Sequence, residues 1–209
     1  GTYWPSTAGG FEYYWSPDGK WFTLCFIGNK HDPYSDIGIV SAQGGNITNL
    51  TSSGYASGSP RWVMNGNAIV FTTEYFGMRN HASWGSMEDV FLCFVNQDAY
   101  DKYRLSKEDY ELLKEVEKEQ EKLKKNADKK DAKKDDAKKD DKKDAVKDIV
   151  MELDGIQDRI VRLTPNSSSL GSAIIDKKGE TLYYTASFEK GMDLWKLDLR
   201  KKEVKLATK

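Results

Sequence analysis

The stretch of sequence that decides the fold is "YWSPDGKWFTLCFIG", which runs from Tyr14 to Gly28. Within it, proline fixes its own φ and Gly19 is free to adopt a positive φ, as a tight reverse turn requires. In the residues that follow the turn, 21–26, successive side chains alternate between the two faces of the chain, which is the period of a β-strand. The stretch therefore predicts two antiparallel strands joined by a turn, the first at residues 11–16.

The turn belongs to a unit that occurs three times in the chain, and internal repetition of this kind identifies repeat architectures. Each copy has a turn glycine, an aspartate that opens a later strand and a closing threonine. The markers are Gly19, Asp36 and Thr51; Gly66, Asp89 and Thr164; and Gly179, Asp193 and Thr208. The spacing from aspartate to threonine is 15 residues in the first and third copies and 75 in the middle copy. The middle copy therefore contains a long insertion.

Each copy is predicted to form four short strands. A four-stranded antiparallel meander that recurs about every 40 residues is the blade of a β-propeller. A β-sandwich with similar hairpins is the alternative, but it does not require three matching sets of markers. We therefore predict an all-β fold, a partial β-propeller of about three four-stranded antiparallel blades with a charged α-helical or low-complexity insertion in the middle blade. The predicted single propeller segment, 1–209, has blades at about 11–51, 59–164 and 172–208, with the insertion at 97–154.

Closed propellers usually have four to eight blades, so three blades do not close a ring. Two arrangements are consistent with this number. The chain is either a piece of a larger propeller, or it pairs with a second copy to complete six blades. The opening "GTYWPSTAGG" looks like a cut edge, so the lack of a secretion signal there says nothing about where the parent protein is located.

The insertion contains the run "NADKKDAKKDDAKKDDKKDAVKD", with nine lysines and eight aspartates between residues 126 and 148. Such a run suggests a linker between domains, but the marker spacing places it inside one blade. The preceding "LSKEDYELLKEVEKEQEKLKK" predicts a helix capped by Ser106. Its thin apolar stripe is suited either to packing on the propeller or to pairing with another helix. Beyond Asn126 we expect a solvated helix or disorder.

Composition excludes several classes of function. With a net charge of −1, the chain lacks the excess of basic residues that binding to nucleic acid requires. No apolar stretch approaches the length of a membrane span, about 18 residues. Cys25 and Cys93 lie in apolar strand-like runs and are predicted to be small buried hydrophobes, while His31 and His81 belong to no ligand-spaced cluster. We expect no cofactor, no metal and, without a catalytic motif, no catalysis by this chain alone.

The candidate binding residues lie in "EYFGMRNHASWGS", from Glu74 to Ser86. This loop contains Arg79, His81 and Trp84, side chains able to stack on a peptide and to form hydrogen bonds with it. The alternative is that Trp84 and Met78 cap the end of the blade while Arg79 pairs with a carboxylate. Contact with a peptide or with another domain is therefore one of two interpretations of this loop.

The turn "WSPDGKWFTL" and the later "DIGIVSAQGGNITNLT" are similar to the WD-like propeller repeats of TolB and of tricorn-type proteases. The middle copy resembles a narrower family. Residues 77–115, "GMRNHASWGSMEDVFLCFVNQDAYDKYRLSKEDYELLKE", resemble a blade of bacterial tricorn-like serine peptidases, including the Lys-rich insertion and the resumption at "GIQDRIVRLT". In that family a propeller precedes a PDZ domain and a tail-specific-protease-type catalytic domain. The resemblance covers the propeller part only, so no catalytic residue carries over.

This resemblance implies a non-catalytic propeller that admits, holds or filters peptide substrates, or that scaffolds the protease domains of a serine peptidase. The implied partners are a peptide or protein substrate and the remaining blades and protease domains of a parent chain, with a homodimer of the fragment as another possibility. Exported relatives imply a periplasmic location, with the cytoplasm as the alternative. A TolB-like protein-binding module without peptidase activity is the rival function. The propeller of a prolyl-oligopeptidase-type hydrolase is a third.

Overall fold

A computed structural model describes residues 12–28, 34–79, 85–131, 148–188 and 191–208, with the backbone alone for 124–131. Blade 1 comprises β1 (Tyr13–Trp15), β2 (Trp21–Phe26), β3 (Asp36–Ser41) and β4 (Thr48–Asn49). Blade 2 comprises β5 (Ser57–Val63), β6 (Ala68–Thr73), β7 (Asp89–Phe94) and β8 (Ile160–Arg162). Blade 3 comprises β9 (Ser169–Ile175), β10 (Thr181–Ser187), β11 (Met192–Asp198) and β12 (Glu203–Leu206). The insertion contains α1 (Gln97–Arg104) and α2 (Lys107–Asp131), and a 3-10 helix (Ile156–Arg159) precedes β8.

Each blade is an antiparallel meander in which strands adjacent in sequence are paired. The predicted fold class, three four-stranded blades with a charged helical insertion in the middle one, is confirmed. β7 and β8 pair directly, with Cys93 opposite Ile160, although the insertion separates them in the chain. The described sheets form an open row and do not close into a ring. The outermost strand of blade 1, β4, is only two residues long.

The turn that begins the first repeat folds as its residues require. Ser16 Oγ donates to Asp18 Oδ1 at 2.6 Å and accepts the Trp21 backbone N–H at 2.9 Å. Asp18 Oδ1 also accepts the N–H of Lys20 at 3.1 Å. Gly19 has a φ of 70°, which a residue with a side chain rarely adopts. The polar side chains therefore satisfy the backbone of the turn and fix the pairing of β1 with β2.

The aspartate and threonine markers form the same structure in blades 1 and 2. The threonine hydroxyl donates to the aspartate carboxylate at 2.8 Å in both blades, Thr51 to Asp36 and Thr164 to Asp89. The threonine oxygen also accepts the backbone N–H that follows the aspartate at 3.1 Å, that of Ile37 and Val90 respectively. This pair of bonds ties the end of the fourth strand to the start of the third. It explains why the two markers recur at a fixed spacing when no insertion intervenes.

Strand alternation gives each blade two faces, and apolar cores form where a face of one blade packs on a face of the next. The core between blades 1 and 2 contains Ile37 and Ile39 from blade 1 and Ile69, Phe71, Phe91 and Cys93 from blade 2. The core between blades 2 and 3 contains Ala68, Val70, Val90, Leu92 and Phe94 from blade 2 and Ile175, Leu182, Tyr184, Ala186 and Leu197 from blade 3. Blade 2 is thus covered on both faces, and its β7 is entirely buried.

A buried arginine joins the two ends of the insertion. Arg159, which is 5% exposed, donates from Nε to the carbonyl of Phe94 at 3.3 Å and from Nη1 to that of Asp154 at 3.2 Å. Its Nη2 donates to the carbonyl of Glu152. The backbone N–H of Glu152 in turn donates to the carbonyl of Val95 at 2.9 Å. The chain therefore leaves and re-enters blade 2 at one place.

Both helices of the insertion have polar N-caps. Asn96 Oδ1 accepts the N–H of Ala99 at 2.9 Å at the start of α1. Ser106 Oγ accepts the N–H of Asp109 at 3.1 Å at the start of α2, which confirms the predicted cap. Such caps satisfy backbone donors that have no partner inside the helix. α1 is an addition to the sequence prediction, which placed the helix only from residue 105 onward.

Replacing Thr164 by valine tests the aspartate–threonine pair. The substitution preserves shape but removes one partner from the carboxylate of Asp89, which is fully buried. Leaving a buried polar group short of a hydrogen bond costs about 1–3 kcal/mol, and we expect the free energy of unfolding in urea to fall by that amount.

The matched control is Thr208→Val, at the same marker position in blade 3. Thr208 is exposed, so its replacement should change the unfolding free energy by less than about 0.5 kcal/mol. Equal losses in the two variants would show that the buried pair in blade 2 has no special role.

Candidate functional site: an aromatic groove between blades 1 and 2

Two connections meet at one end of the first two blades. The segment that follows β4 leads into β5, and the segment that follows β6 leads towards β7. They lie together because Ser57 pairs with Thr73, and Thr73 pairs with Asp89, across the sheet. The N–H of Glu74 donates to the carbonyl of Ala56 at 3.1 Å, which joins the two connections directly. This end of the blades presents the predicted binding loop.

Aromatic rings form a continuous ladder at this end. The successive ring-centroid distances are 4.9 Å from Tyr55 to Tyr75, 4.8 Å from Tyr75 to Phe76, 6.1 Å from Phe76 to Phe91 and 5.8 Å from Phe91 to Phe71. These separations are within the range of favourable aromatic pairs. Tyr75 and Phe76 are 46% and 56% exposed, whereas Phe71 is buried. The ladder therefore runs from the surface to the core.

A groove of about 330 Å³ opens beside the ladder, between the outer parts of blades 1 and 2. The apolar part of its lining is Phe71, Tyr75, Phe76, Phe91 and Ile160, and the polar part is Thr51, Ser53, Ser57, Thr73 and Gln157. The buried Ser57 hydroxyl has no hydrogen-bond partner in the parts of the chain that the structure describes.

Two arginines stack on the ladder. The guanidinium carbon of Arg79 lies 4.3 Å from the centre of the Tyr55 ring, and that of Arg162 lies 4.8 Å from the centre of the Phe76 ring. Arg162 Nη2 also donates to Asp89 Oδ1 at 2.8 Å. Arg79 is exposed, and no carboxylate within the described ranges pairs with it. Arg162 therefore has a structural role, while the charge of Arg79 is accessible to a ligand.

Of the three predicted contact residues, Arg79 lies at the rim of the ladder. His81 and Trp84 fall outside the described residues. Sequence reasoning missed Tyr55, Phe76 and Arg162. The available signal was the clustering of aromatics just before the loop, in "EYFG", and in the connection that precedes β5, in "SSGYAS".

Two carboxylates lie close together where the same loop meets blade 3. The Glu74 side chain, 1% exposed, accepts the N–H of Ala56 through Oε1 at 3.2 Å. Burial, together with the negative charge of Glu74, raises the pKa of Glu88 above its usual value, although a hydrogen bond with Thr72 acts in the opposite direction. The backbone of Glu88 also bridges to Ser168 at the start of blade 3. The base of the loop therefore holds negative charge in a poorly solvated position.

The cysteines take no part in this site. Both are free, Cys93 is fully buried and Cys25 is half-buried. Burial raises the pKa of each thiol to about 12. A thiol with such a pKa carries almost no thiolate at neutral pH and is not a nucleophile. The prediction of a small buried hydrophobe is confirmed for Cys93 and holds in part for Cys25.

Replacing Glu88 by glutamine should stabilise the protein at neutral pH. A carboxyl whose pKa is raised in the folded state destabilises that state once it ionises, so stability falls as the pH rises above the usual value of 4.5. Glutamine does not ionise and avoids this loss. In urea denaturation we expect Glu88→Gln to exceed the wild type in stability at pH 7 and to match it below about pH 4.

The control is Glu119→Gln, an exposed position in the middle of α2, which should change the unfolding free energy at pH 7 by less than about 0.5 kcal/mol. If the stability difference between Glu88→Gln and the wild type were the same at pH 4 and pH 7, the raised pKa would not be its cause.

No family model matches the chain. Over 58 residues, 28% of this chain and 8% of the relative, it is 36% identical to the uncharacterized peptidase YuxL of Bacillus subtilis (strain 168). The crystal structure of the tricorn protease matches 93% of this chain and 18% of its own length, with a TM-score of 0.54 and 9% identity. The structure of a TolB protein from Agrobacterium tumefaciens matches 96% of this chain and 50% of its own length, with a TM-score of 0.50 and 14% identity.

The two structural matches establish the fold. The predicted resemblance to tricorn-type and TolB propellers is confirmed at that level, and the chain is a β-propeller module. It spans less than a tenth of the length of the curated relative that it matches. Among the described helices, neither is both long and apolar enough to cross a membrane.

Proposed function

We propose that the chain is one propeller segment of a tricorn-like serine peptidase and that its groove between blades 1 and 2 binds peptide substrates before cleavage elsewhere. The observation that carries this proposal is the aromatic ladder, which is exposed at Tyr75 and Phe76 and ends in an open groove. The groove has a volume in the range typical of ligand sites, with an apolar lining and a few polar groups. Such a lining suits one apolar side chain of an extended peptide.

The charge of Arg79 defines the second part of the ligand. A guanidinium that stacks on an aromatic ring still presents its edge N–H groups, which bind carboxylates well. Peptides that combine an aromatic side chain with a nearby carboxylate are therefore the favoured class. The match to the peptidase YuxL, short as it is, supports a peptidase as the parent protein. In this proposal the catalytic residues lie outside the chain and the parent acts in the periplasm.

The second candidate is a TolB-like module that docks a protein partner and belongs to no peptidase. The observation in its favour is that the chain matches half of a TolB structure, compared with under a fifth of the tricorn protease. Both candidates use the same exposed surface. They differ in whether the parent also carries a protease domain, so the coding sequence that continues beyond this segment discriminates between them.

Fluorescence anisotropy tests binding at the groove. The probes are fluorescein-labelled peptides with a central phenylalanine flanked by glutamates, and matched peptides in which serine replaces the phenylalanine. We expect the phenylalanine peptides to bind more tightly. Phe76→Ala and Arg79→Ala should each weaken that binding about tenfold or more, the effect of removing a binding residue worth about 1.4 kcal/mol.

The control variant is Leu123→Ala, since Leu123 is 68% exposed on α2 and distant in sequence from the groove. It should bind the peptides as the wild type does, and circular dichroism should show that all three variants stay folded. Equal binding of the phenylalanine and serine peptides, or unchanged binding by Phe76→Ala and Arg79→Ala, would contradict a peptide site at the groove.

A further inference from the structure

We propose that the Lys/Asp-rich insertion is an intramolecular clamp that holds the three blades together at the end opposite the groove loops. It has two arms. The outgoing arm, residues 97–118, joins blade 2 to blade 3, and the return arm, residues 148–154, joins blade 2 to blade 1. No clamping contact is assigned to the spacer between them, residues 119–147.

The outgoing arm completes the core between blades 2 and 3. Ala99, Tyr100 and Tyr103, on one side of α1, pack against that core. The rings of Tyr100 and Tyr103 lie 5.7 Å and 5.0 Å from the ring of Phe94, the last residue of β7. Because Phe94 is 1% exposed and faces blade 3, the two tyrosines close this core at its end.

Blade 3 also binds the outgoing arm through Arg200, in the turn between β11 and β12. Its Nη1 donates to the carbonyls of Lys102, Tyr103 and Leu105 at 3.1, 2.7 and 2.9 Å. The last carbonyls of a helix have no partner within it and carry partial negative charge, so a cation there is favourable. Arg200 thus caps α1 from another blade, and its guanidinium carbon also lies 3.9 Å from the centre of the Tyr110 ring.

A second contact fixes the start of α2 on blade 3. Lys114 forms an ion pair with Glu180, in the turn that precedes β10, and this bond raises the pKa of the Lys114 ammonium. The first turns of α2 therefore lie against the turn that precedes β10.

The return arm completes the other core. Ile149, Met151 and Leu153 pack against the core between blades 1 and 2, while the intervening Val150 is 63% exposed. This alternation is that of an extended segment with one buried face. The Ile149 side chain occupies the space beside Gly66, where an added Cβ would clash with it. The glycine marker of blade 2 therefore has a packing role besides its turn conformation.

Blade 1 binds the return arm through its first turn. The backbone N–H of Ile149 donates to Asp18 Oδ2 at 2.9 Å, and Lys20 forms an ion pair with Asp148 at 2.5 Å. The turn "SPDG" therefore does more than join β1 to β2. Its free carboxylate oxygen receives the end of the insertion.

These contacts reach blade 1 and blade 3 from a single insertion in blade 2. Leu123, within the spacer, is 68% exposed. The described sheets form an open row, in which an end blade is held on one face only. An insertion that adds side chains to both interblade cores therefore stabilises the packing of blade 1 and of blade 3 on blade 2.

Hydrogen exchange on the full chain, followed by mass spectrometry, tests the clamp arm by arm. In the return arm, Ile149→Ala with Leu153→Ala should speed exchange in β2 and β3 of blade 1 about tenfold or more and affect β10 and β11 much less. In the outgoing arm, Tyr100→Ala with Tyr103→Ala should speed exchange in β10 and β11 and affect β2 and β3 much less. Truncating large side chains that pack on a core lowers the local stability enough to raise the exchange rate by this factor or more.

The controls are Val150→Ala and Leu112→Ala, which truncate exposed side chains in the same two arms. A third control replaces residues 119–147 by a Gly/Ser sequence of equal length. All three should exchange as the wild type does. Three results would refute the clamp. A control could raise exchange rates as much as an arm variant does, an arm variant could raise them equally in blades 1 and 3, or neither blade could exchange faster in the arm variants.

Should an arm variant fail to fold, a turn substitution makes the same comparison. Asp18→Asn weakens the acceptor of the return arm, whereas Asp176→Asn alters the corresponding turn of blade 3, where the carboxylate accepts the N–H groups of Glu180 and Thr181. Faster exchange at residues 148–154 in the first variant alone supports the clamp. Equal exchange of that segment in both variants overturns it.

Discussion

The structure depends on the pairing of β7 with β8 across the insertion. Phe91 opposite Arg162 and Cys93 opposite Ile160 close the sheet of blade 2, although the two strands are far apart in the chain. This pairing brings the Thr164 hydroxyl to the carboxylate of Asp89. Closing so long a loop costs only slightly more entropy than closing a short one, because the cost rises with the logarithm of its length. The insertion is therefore compatible with one continuous blade.

The same pairing links the two ends of the blades. At one end it places Arg162 over the ring of Phe76 and so supports the aromatic ladder beside the groove. At the other end it brings together the start and finish of the insertion, where Arg159 binds carbonyls from both. The groove and the proposed clamp thus belong to opposite ends of one sheet, which leaves the groove end open to ligands.

The sequence predicted the repeated parts of the fold well, since turn chemistry and strand alternation are local properties. β2 begins and ends where the pattern places it, and β3 begins at the aspartate marker, Asp36. It did not predict α1, which is stabilised by packing on Phe94 and by a cap from Arg200, a residue remote in sequence. Arg79 was found because it lies in a visibly unusual loop. Phe76 and Tyr55 were missed because a ladder between two connections becomes visible only when the register of β5 and β6 is known.

Specific cleavage within the spacer tests the central claim, that the insertion interrupts one blade, most directly. A recognition site for a selective protease is introduced near residue 137, the folded protein is cut, and the products are analysed by gel filtration with light scattering. If β7 and β8 belong to one sheet, the two fragments should elute together at the mass of the intact chain and separate only in denaturant. Fragments that separate under native conditions as two folded species would show that the run is a linker between domains.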